Sequence, residues 1–265
     1  MESVMINNTK WALVTGASSG LGAVFAREYA KKGYSLVLTA RRREALQTLA
    51  DELAATHGID CHVETVDLAV SGAAMQLKQA LDEADIVIDV LINNAGMGLH
   101  GDFLACPADR LAGMLQLDII ALTELTHLYG QAMAGRGNGQ ILLISSILGY
   151  QATPAYAAYA AAKAYVLSLG EALHEELKAS GVTVTVLSPG VTNTEFMAVA
   201  DQPMPPILKM MLMEPEPVVR AGIKALEAGR ASVVPGWLNR VTTQSNRLTP
   251  RVMQRRTMAK IMRER

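Results

Sequence analysis

Tyr159 and Lys163 stand four residues apart in an alanine-rich stretch, Tyr156-Ala-Ala-Tyr159-Ala-Ala-Ala-Lys163. On a helix this spacing puts both side chains on one face, about one turn apart. A phenol, with an ordinary pKa of about 10, is a weak proton donor or acceptor at neutral pH, and a neighbouring ammonium favours the phenolate and moves it toward the working range. In isolation the pair would be two surface side chains in contact, because the spacing recurs by chance on helices. Its neighbours change the reading. The strand-like run Gln140 to Ser145 delivers Ser146 at its C-terminal end, one connection upstream of the tyrosine, and open α/β sheets place ligands at such strand ends.

A second chemistry is written near the N-terminus, where Thr15-Gly16-Ala17-Ser18-Ser19-Gly20-Leu21-Gly22 follows a strand-like run and opens an amphipathic helix. Glycines at a strand-to-helix turn let backbone N–H groups approach a pyrophosphate, and the helix dipole favours the anion. A site for NAD would usually carry Asp or Glu at the end of the second strand to hold the ribose 2′-hydroxyl. Here that place reads Ala40-Arg41-Arg42-Arg43. Arginines opening a helix oppose its dipole unless an anion docks there, and a 2′-phosphate would supply one. The expected cofactor is therefore NADP(H), with Arg41 the best candidate for the contact and Arg42 beside it.

These residues need a scaffold that brings strand ends together. Candidate strands fall at Trp11 to Thr15, Ser35 to Thr39, Cys61 to Val66, Ile88 to Asn93, Gln140 to Ser145 and Val182 to Ser188. Helix-length segments separate them, about Gly20 to Lys32, Arg42 to His57, Ser71 to Ala84, Ala108 to Met133 and Ala155 to Ser180. Strands this continuously apolar are buried on both faces. The pattern predicts an α/β fold: a single-domain, Rossmann-type, doubly wound parallel sheet with helices on both faces. A helix around Val218 to Ala228 and a strand at Ala231 to Val234 follow a Pro- and Met-rich stretch. The catalytic domain would span 1–238, with a substrate lid at about 191–217 and a basic helical tail over 239–265.

Composition narrows the classes. A chain of 265 residues, half of them apolar, can bury a substantial core. Its apolar runs are strand-length, and no charged-then-apolar leader precedes the first strand. Two cysteines, Cys61 and Cys106, are too few for a disulfide framework and lack metal-ligand spacing. A reducing, cytoplasmic setting is expected. The net charge of −1 conceals an asymmetry: 239–265 holds eight basic residues and one acidic one, leaving about −8 for the body. Nucleic-acid binding is not expected of such a body.

Over nearly its whole length the chain resembles the short-chain dehydrogenase/reductase (SDR) family. The resemblance is carried in order by Thr15 to Gly22, Asp67-Leu68, Asn93-Asn94-Ala95-Gly96, Ser146, the Tyr159/Lys163 pair, and Pro189-Gly190-Val191-Thr192-Asn193-Thr194. It implies an oxidoreductase that interconverts a carbonyl and an alcohol on an apolar small molecule by hydride transfer. Tyr159 would be the general acid/base, Ser146 would hydrogen-bond the substrate oxygen, and Lys163 would bind the nicotinamide ribose and lower the tyrosine pKa. Gly16, Ser18, Ser19, Gly20, Leu21 and Gly22 would cradle the phosphates, and Asp67 and Leu68 would meet the adenine. Asn94, Ala95 and Gly96, in the motif ending the fourth strand, would also bind the cofactor, and Pro189, Gly190, Thr192 and Thr194 would form the loop on the nicotinamide side. The resemblance also implies a homodimer or homotetramer joined through the long helices. One departure is Asp118, where the family commonly has an Asn that helps hold a relay water to the lysine; a carboxylate could accept from that water but not donate.

Substrate would lie between Met97 to His100, Leu148 to Gln151 and the segment after Gly190, where Phe196, Met197, Met204, Met210, Met211 and Met213 cluster. Methionines suit a pliable lid, and equally suit ordinary core packing. In the tail, Thr249-Pro250 reads as a helix start, and Leu248, Val252, Ala259 and Met262 give an apolar stripe interrupted by Arg255. Packing on a neighbouring subunit is expected in preference to adsorption on lipid. An NADP-binding sensor without turnover and a membrane-surface reductase of lipid-like substrates are the competing readings.

Overall fold

The computed structural model describes residues 9–194, 211–246 and 248–263. The apolar runs form β1 (Trp11–Thr15), β2 (Ser35–Ala40), β3 (Cys61–Thr65), β4 (Ile88–Asn93), β5 (Gly139–Ile144), β6 (Val182–Leu187) and β7 (Ser232–Val233). They pair in parallel as one seven-stranded sheet in the order β3-β2-β1-β4-β5-β6-β7. Between them run α1 (Gly20–Lys31), α2 (Arg43–His57), α3 (Ala73–Glu83), α4 (Ala108–Leu115), α5 (Leu122–Arg136), α6 (Ala157–Lys178) and α7 (Pro215–Glu227), followed by α8 (Trp237–Ser245) and α9 (Arg251–Arg263).

Alternation along each strand feeds two cores. On one face Ala12, Val14 and Leu36 pack with Phe25 and Tyr29 of α1, Leu46 and Leu53 of α2, and Ile223 of α7. On the other, Leu13, Val37 and Leu91 pack with Leu77 of α3, Leu125 and Met133 of α5, and Val166 of α6. Each such side chain contributes about 1.5–3 kcal/mol on burial, so the doubly wound form follows from strands that are apolar on both faces. The chain leaves β1 toward β2 and β3, then returns to place β4 on β1's other edge. At this reversal the crevice opens beyond the C-terminal ends of β1 and β4, where the glycine loop and Asn94 lie.

Several boundaries differ from the sequence expectation for physical reasons. The segment expected as one helix from Ala108 to Met133 is divided by a π-helical turn over Gln116–Ala121, which holds one residue more per turn than an α-helix. By length and apolarity Ala108–Arg136 could cross a membrane, but its inner face packs on the sheet through Leu122, Leu125 and Met133, and Asn93 Nδ2 donates to the Leu122 carbonyl at 2.9 Å. Helix α6 starts at Ala157 rather than Ala155, because Ala155 takes the left-handed region at φ 64°. The basic tail expected as helical contains two helices, α8 and α9. In α9 Arg251 is the first helical residue: the Pro250 carbonyl accepts the Met253 N–H, and the Thr249 hydroxyl donates back to Ser245 rather than capping forward. Its inward face keeps Ala259 and Met262 of the expected stripe, both half-buried, and drops the other two. Leu248 is 90 % exposed and Val252 is exposed, whereas Met258 is buried and Gln254, Ile261 and Met262 are half-buried.

Candidate active site

Strand β5 ends at Ile144, and the next two residues carry hydroxyls with different work. Ser145 Oγ donates to the Lys163 carbonyl at 2.7 Å, fixing α6 against the strand end. Ser146 is extended, at φ −162° and ψ 159°, and its hydroxyl accepts the Leu148 N–H at 3.2 Å while hydrogen-bonding Tyr159. Tyr159, 7 % exposed, sits in the first turn of α6, and Lys163 Nζ lies 5.5 Å from the centre of its ring. The spacing-based convergence of Ser146, Tyr159 and Lys163 is thus realised in space.

Asp118 joins them. Its Oδ2 lies 3.0 Å from Lys163 Nζ, and its Oδ1 accepts the Met97 N–H at 2.8 Å. The contact is a direct ion pair. Burial pushes the Asp118 carboxyl above the ordinary carboxylate range, while the lysine and the Met97 N–H pull it back. Burial pushes the Tyr159 phenol up, the Asp118 carboxylate pushes the same way, and the Ser146 hydrogen bond partly opposes them.

The glycine loop is built for close approach. Gly16 takes φ 67°, and a Cβ at Gly22 would stand 2.2 Å from the Gly16 carbonyl oxygen, so any side chain there would break the turn. Thr15 ties the loop to β4: its hydroxyl accepts the N–H groups of Asn94 and Ala95 at 2.9 and 2.8 Å, and Asn94 Nδ2 donates to the Thr15 carbonyl at 2.8 Å. A cavity of about 580 Å³ runs from this loop to Tyr159. Gly16, Ser18, Ser19, Gly20 and Leu21 line one end with Arg41, Arg42, Asp67 and Leu68; Asn94, Ala95, Gly96, Pro189, Gly190, Thr192 and Thr194 line the middle. Of the two arginines, Arg41 is exposed at the rim, whereas Arg42 reaches back to the loop, donating from Nε to Ser18 Oγ at 3.3 Å and from Nη2 to the Ser18 carbonyl at 3.2 Å. The cradle and the cation pair fit a phosphorylated dinucleotide.

At the substrate end Tyr156, Leu148 and Gln151 line the cavity, and so do Met258, Ile261 and Met262 of α9. Met262 packs on the cluster of Met114, Tyr156 and Tyr159. Tail residues over the catalytic tyrosine were not foreseen; the spacing of Met258, Ile261 and Met262 was the available signal, obscured by the cations between them. Of the lid, Met211 lines the cavity, and Met213 exchanges backbone bonds with Val191 and Asn193, pinching the ends of the segment together. Phe196, Met197, Met204 and Met210 lie outside the described residues. Asn239, also unforeseen, fills the space beneath Gly190 and donates to the Pro235 carbonyl at 3.0 Å.

A seven-stranded doubly wound sheet with this triad at its crevice defines a nucleotide-dependent oxidoreductase class. A short chain dehydrogenase family profile matches residues 10–204, and the chain belongs to that family. It is an oxidoreductase acting between alcohol and carbonyl groups. An uncharacterized oxidoreductase of Myxococcus xanthus is 31 % identical over 239 residues, 90 % of this chain and 92 % of its own. A short-chain dehydrogenase from Sphingobium yanoikuyae, solved in complex with NADPH, is 30 % identical with a TM-score of 0.82, over 90 % of this chain and 93 % of that one. A bulky-bulky ketone specific alcohol dehydrogenase from Comamonas testosteroni is 29 % identical with a TM-score of 0.77, over 91 % and 94 %.

Proposed function

We propose that the protein is an NADP(H)-dependent reductase of bulky, apolar carbonyl compounds. The observation that carries this reading is one cavity that joins the Gly16–Gly22 loop and its arginines to Ser146 and Tyr159 and ends among Met, Leu, Ile and Tyr side chains. Arg41 and Arg42 support NADP(H), as does the NADPH complex of the Sphingobium relative. The apolar end supports a substrate with little polarity beyond its carbonyl.

When bound along the Gly16–Gly22 loop, the dinucleotide would supply or accept a hydride. Ser146 orients the substrate oxygen by hydrogen bonding, and Tyr159 gives its phenolic proton to that oxygen as the carbonyl carbon is reduced. Lys163, anchored through its backbone by Ser145 and through its ammonium by Asp118 and the Ile144 carbonyl at 3.2 Å, holds the ribose side of the site. Met258, Ile261 and Met262 exclude water from the reacting oxygen. The presence of Ser146, Tyr159 and Lys163 together favours turnover over a sensor role.

A cytoplasmic location and a homodimer or homotetramer belong to the same reading, supported by two free cysteines and by the half-exposed outer face of α5 and its flank at Leu115 and Ile120. The tail turns Met258 inward and Arg251, Arg255, Arg256 and Lys260 outward, which supports a cavity-lining role over lipid binding. The test is NADPH oxidation with a panel of aryl and alicyclic ketones. Activity is expected in the parent and a loss of about 10²–10⁴-fold in Tyr159→Phe, with NADPH binding retained. Failure of every bulky ketone, or activity in Tyr159→Phe within about tenfold of the parent, refutes it.

A further inference from the structure

Lys163 does not meet Tyr159 as an uncompensated cation. Its ammonium lies 3.0 Å from Asp118 Oδ2, with the carboxylate fully buried and the lysine side chain 4 % exposed. Both oxygens of the carboxylate face fixed donors, Oδ1 the Met97 N–H and Oδ2 the ammonium. Gly96 packs over the pair, so that even a Cβ there would stand 3.2 Å from Nζ and 3.3 Å from Oδ2. Away from water an ammonium and a carboxylate in contact act on a neighbour as a dipole rather than as a charge. The attraction that would draw a proton off the phenol is already taken up by Asp118.

No other described group replaces it. Tyr156, whose ring is 6.0 Å from that of Tyr159, and His100, 5.0 Å beyond Tyr156, are the titratable neighbours on the far side. Strand β5 brings the neutral Ser146, and α9 brings the apolar Met258, Ile261 and Met262. Arg41, Arg42 and Asp67 stand at the opposite, cofactor end of the cavity.

We propose that Asp118 is a positioning residue that neutralises Lys163 and so keeps Tyr159 protonated through neutral pH, making this site a proton donor to carbonyls that oxidises alcohols only in alkaline solution. The inference rests on Tyr159 as the acid/base. In reduction the carbonyl carbon takes hydride from the reduced dinucleotide, the C=O π pair moves to oxygen, and that oxygen takes the Tyr159 proton; the phenolate left behind is reprotonated from solvent. In oxidation the phenolate must exist before the alcohol proton can leave, and a neutral Lys163–Asp118 pair delays it. The upward displacement of the Tyr159 phenol agrees with this.

The test uses the full-length protein and one ketone–alcohol pair, with kcat followed against pH in both directions for the parent and Asp118→Asn. The rising limb of alcohol oxidation is expected to move to lower pH by about one to three units in the variant, and the falling limb of ketone reduction to move down with it. Limbs that stay in place, or move to higher pH, overturn the proposal. Should the variant fail to fold, the phenolate absorbance of the parent minus that of Tyr159→Phe gives the same answer: ionisation at or above about 10 is expected, and ionisation in the neutral range overturns it. Tyr159→Phe also distinguishes the role of Tyr159 from that of Asp118. If it turns over normally, the acid/base assignment falls; if it is inactive while the Asp118→Asn limbs do not move, only the role of Asp118 falls.

Discussion

Replacing Lys163 with Met removes the partner of a carboxylate that has no access to water. Breaking a buried pair from one side costs about 3–5 kcal/mol, because the remaining charge is left uncompensated. In a protein of this size each kcal/mol moves the melting temperature by about 2–4 °C, so Lys163→Met should melt about 6–20 °C below the parent near neutral pH. The loss carries a pH signature. Burial already raises the Asp118 carboxyl, and removing the lysine removes the largest pull in the other direction. A carboxyl whose folded pKa is raised above its unfolded value of about 3.9 destabilises as pH climbs past that value, until it titrates in the folded state. The gap between parent and variant should therefore widen from about pH 5 to about pH 8. Adding Asp118→Asn should recover most of the loss, since the amide oxygen can still accept the Met97 N–H. Calorimetric melting of the three proteins at matched concentration decides the matter. A single variant that melts within about 2 °C of the parent at about pH 8, or a gap that shrinks with rising pH, would refute the reasoning.

Two further outcomes follow from the cavity walls. Arg42→Ala should weaken use of NADPH by about 1.5–3 kcal/mol, roughly 10- to 150-fold in KM, while leaving NADH nearly unchanged; equal losses for both cofactors would mean that Arg42 serves the loop through Ser18 rather than a 2′-phosphate. Deleting 250–265 removes Met258, Ile261 and Met262 from the cavity, and losing the burial of even one such side chain, about 1.5–3 kcal/mol, should raise KM for a bulky ketone about 10- to 150-fold. Steady-state kinetics with a small and a bulky ketone read this out, and an equal effect on both would show that the tail acts on stability rather than on substrate contact.

The parts of the fold legible in the sequence were those fixed by local pattern. Continuous apolar runs such as Leu36–Val37–Leu38 announce strands buried on both faces, and the β1 and β4 boundaries coincide with the expected ones because Gly16 and Asn94 end them abruptly. Ser146, Tyr159 and Lys163 were legible because strand end and helical period each place a side chain without reference to the rest of the chain. Contacts across long separations were not. The Asp118–Lys163 pair joins residues from different helices, and Asp118 lies in a π turn that no periodicity in Leu115-Gln116-Leu117-Asp118-Ile119 declares. Where the two arginines stand was equally a question of tertiary distance: Arg42 reaches Ser18, and Arg41 is exposed at the cavity rim. The tail was legible in part: Ala259 and Met262 of the stripe are half-buried, whereas Leu248 and Val252 are exposed, because the inward face is selected by contacts with Met114, Tyr156 and Tyr159, distant in sequence.

The π turn also separates two demands that usually compete along one helix. Upstream, Met114 is seated against Tyr159; downstream, Leu122 and Leu125 are seated on the sheet. A π turn is an α turn with one residue inserted, so both seats could be kept by a chain one residue shorter through Gln116–Ala121. What such a chain would lose is the angle at which Asp118 leaves the axis. The effect proposed for Asp118 on proton transfer would then hang on the register of this one turn.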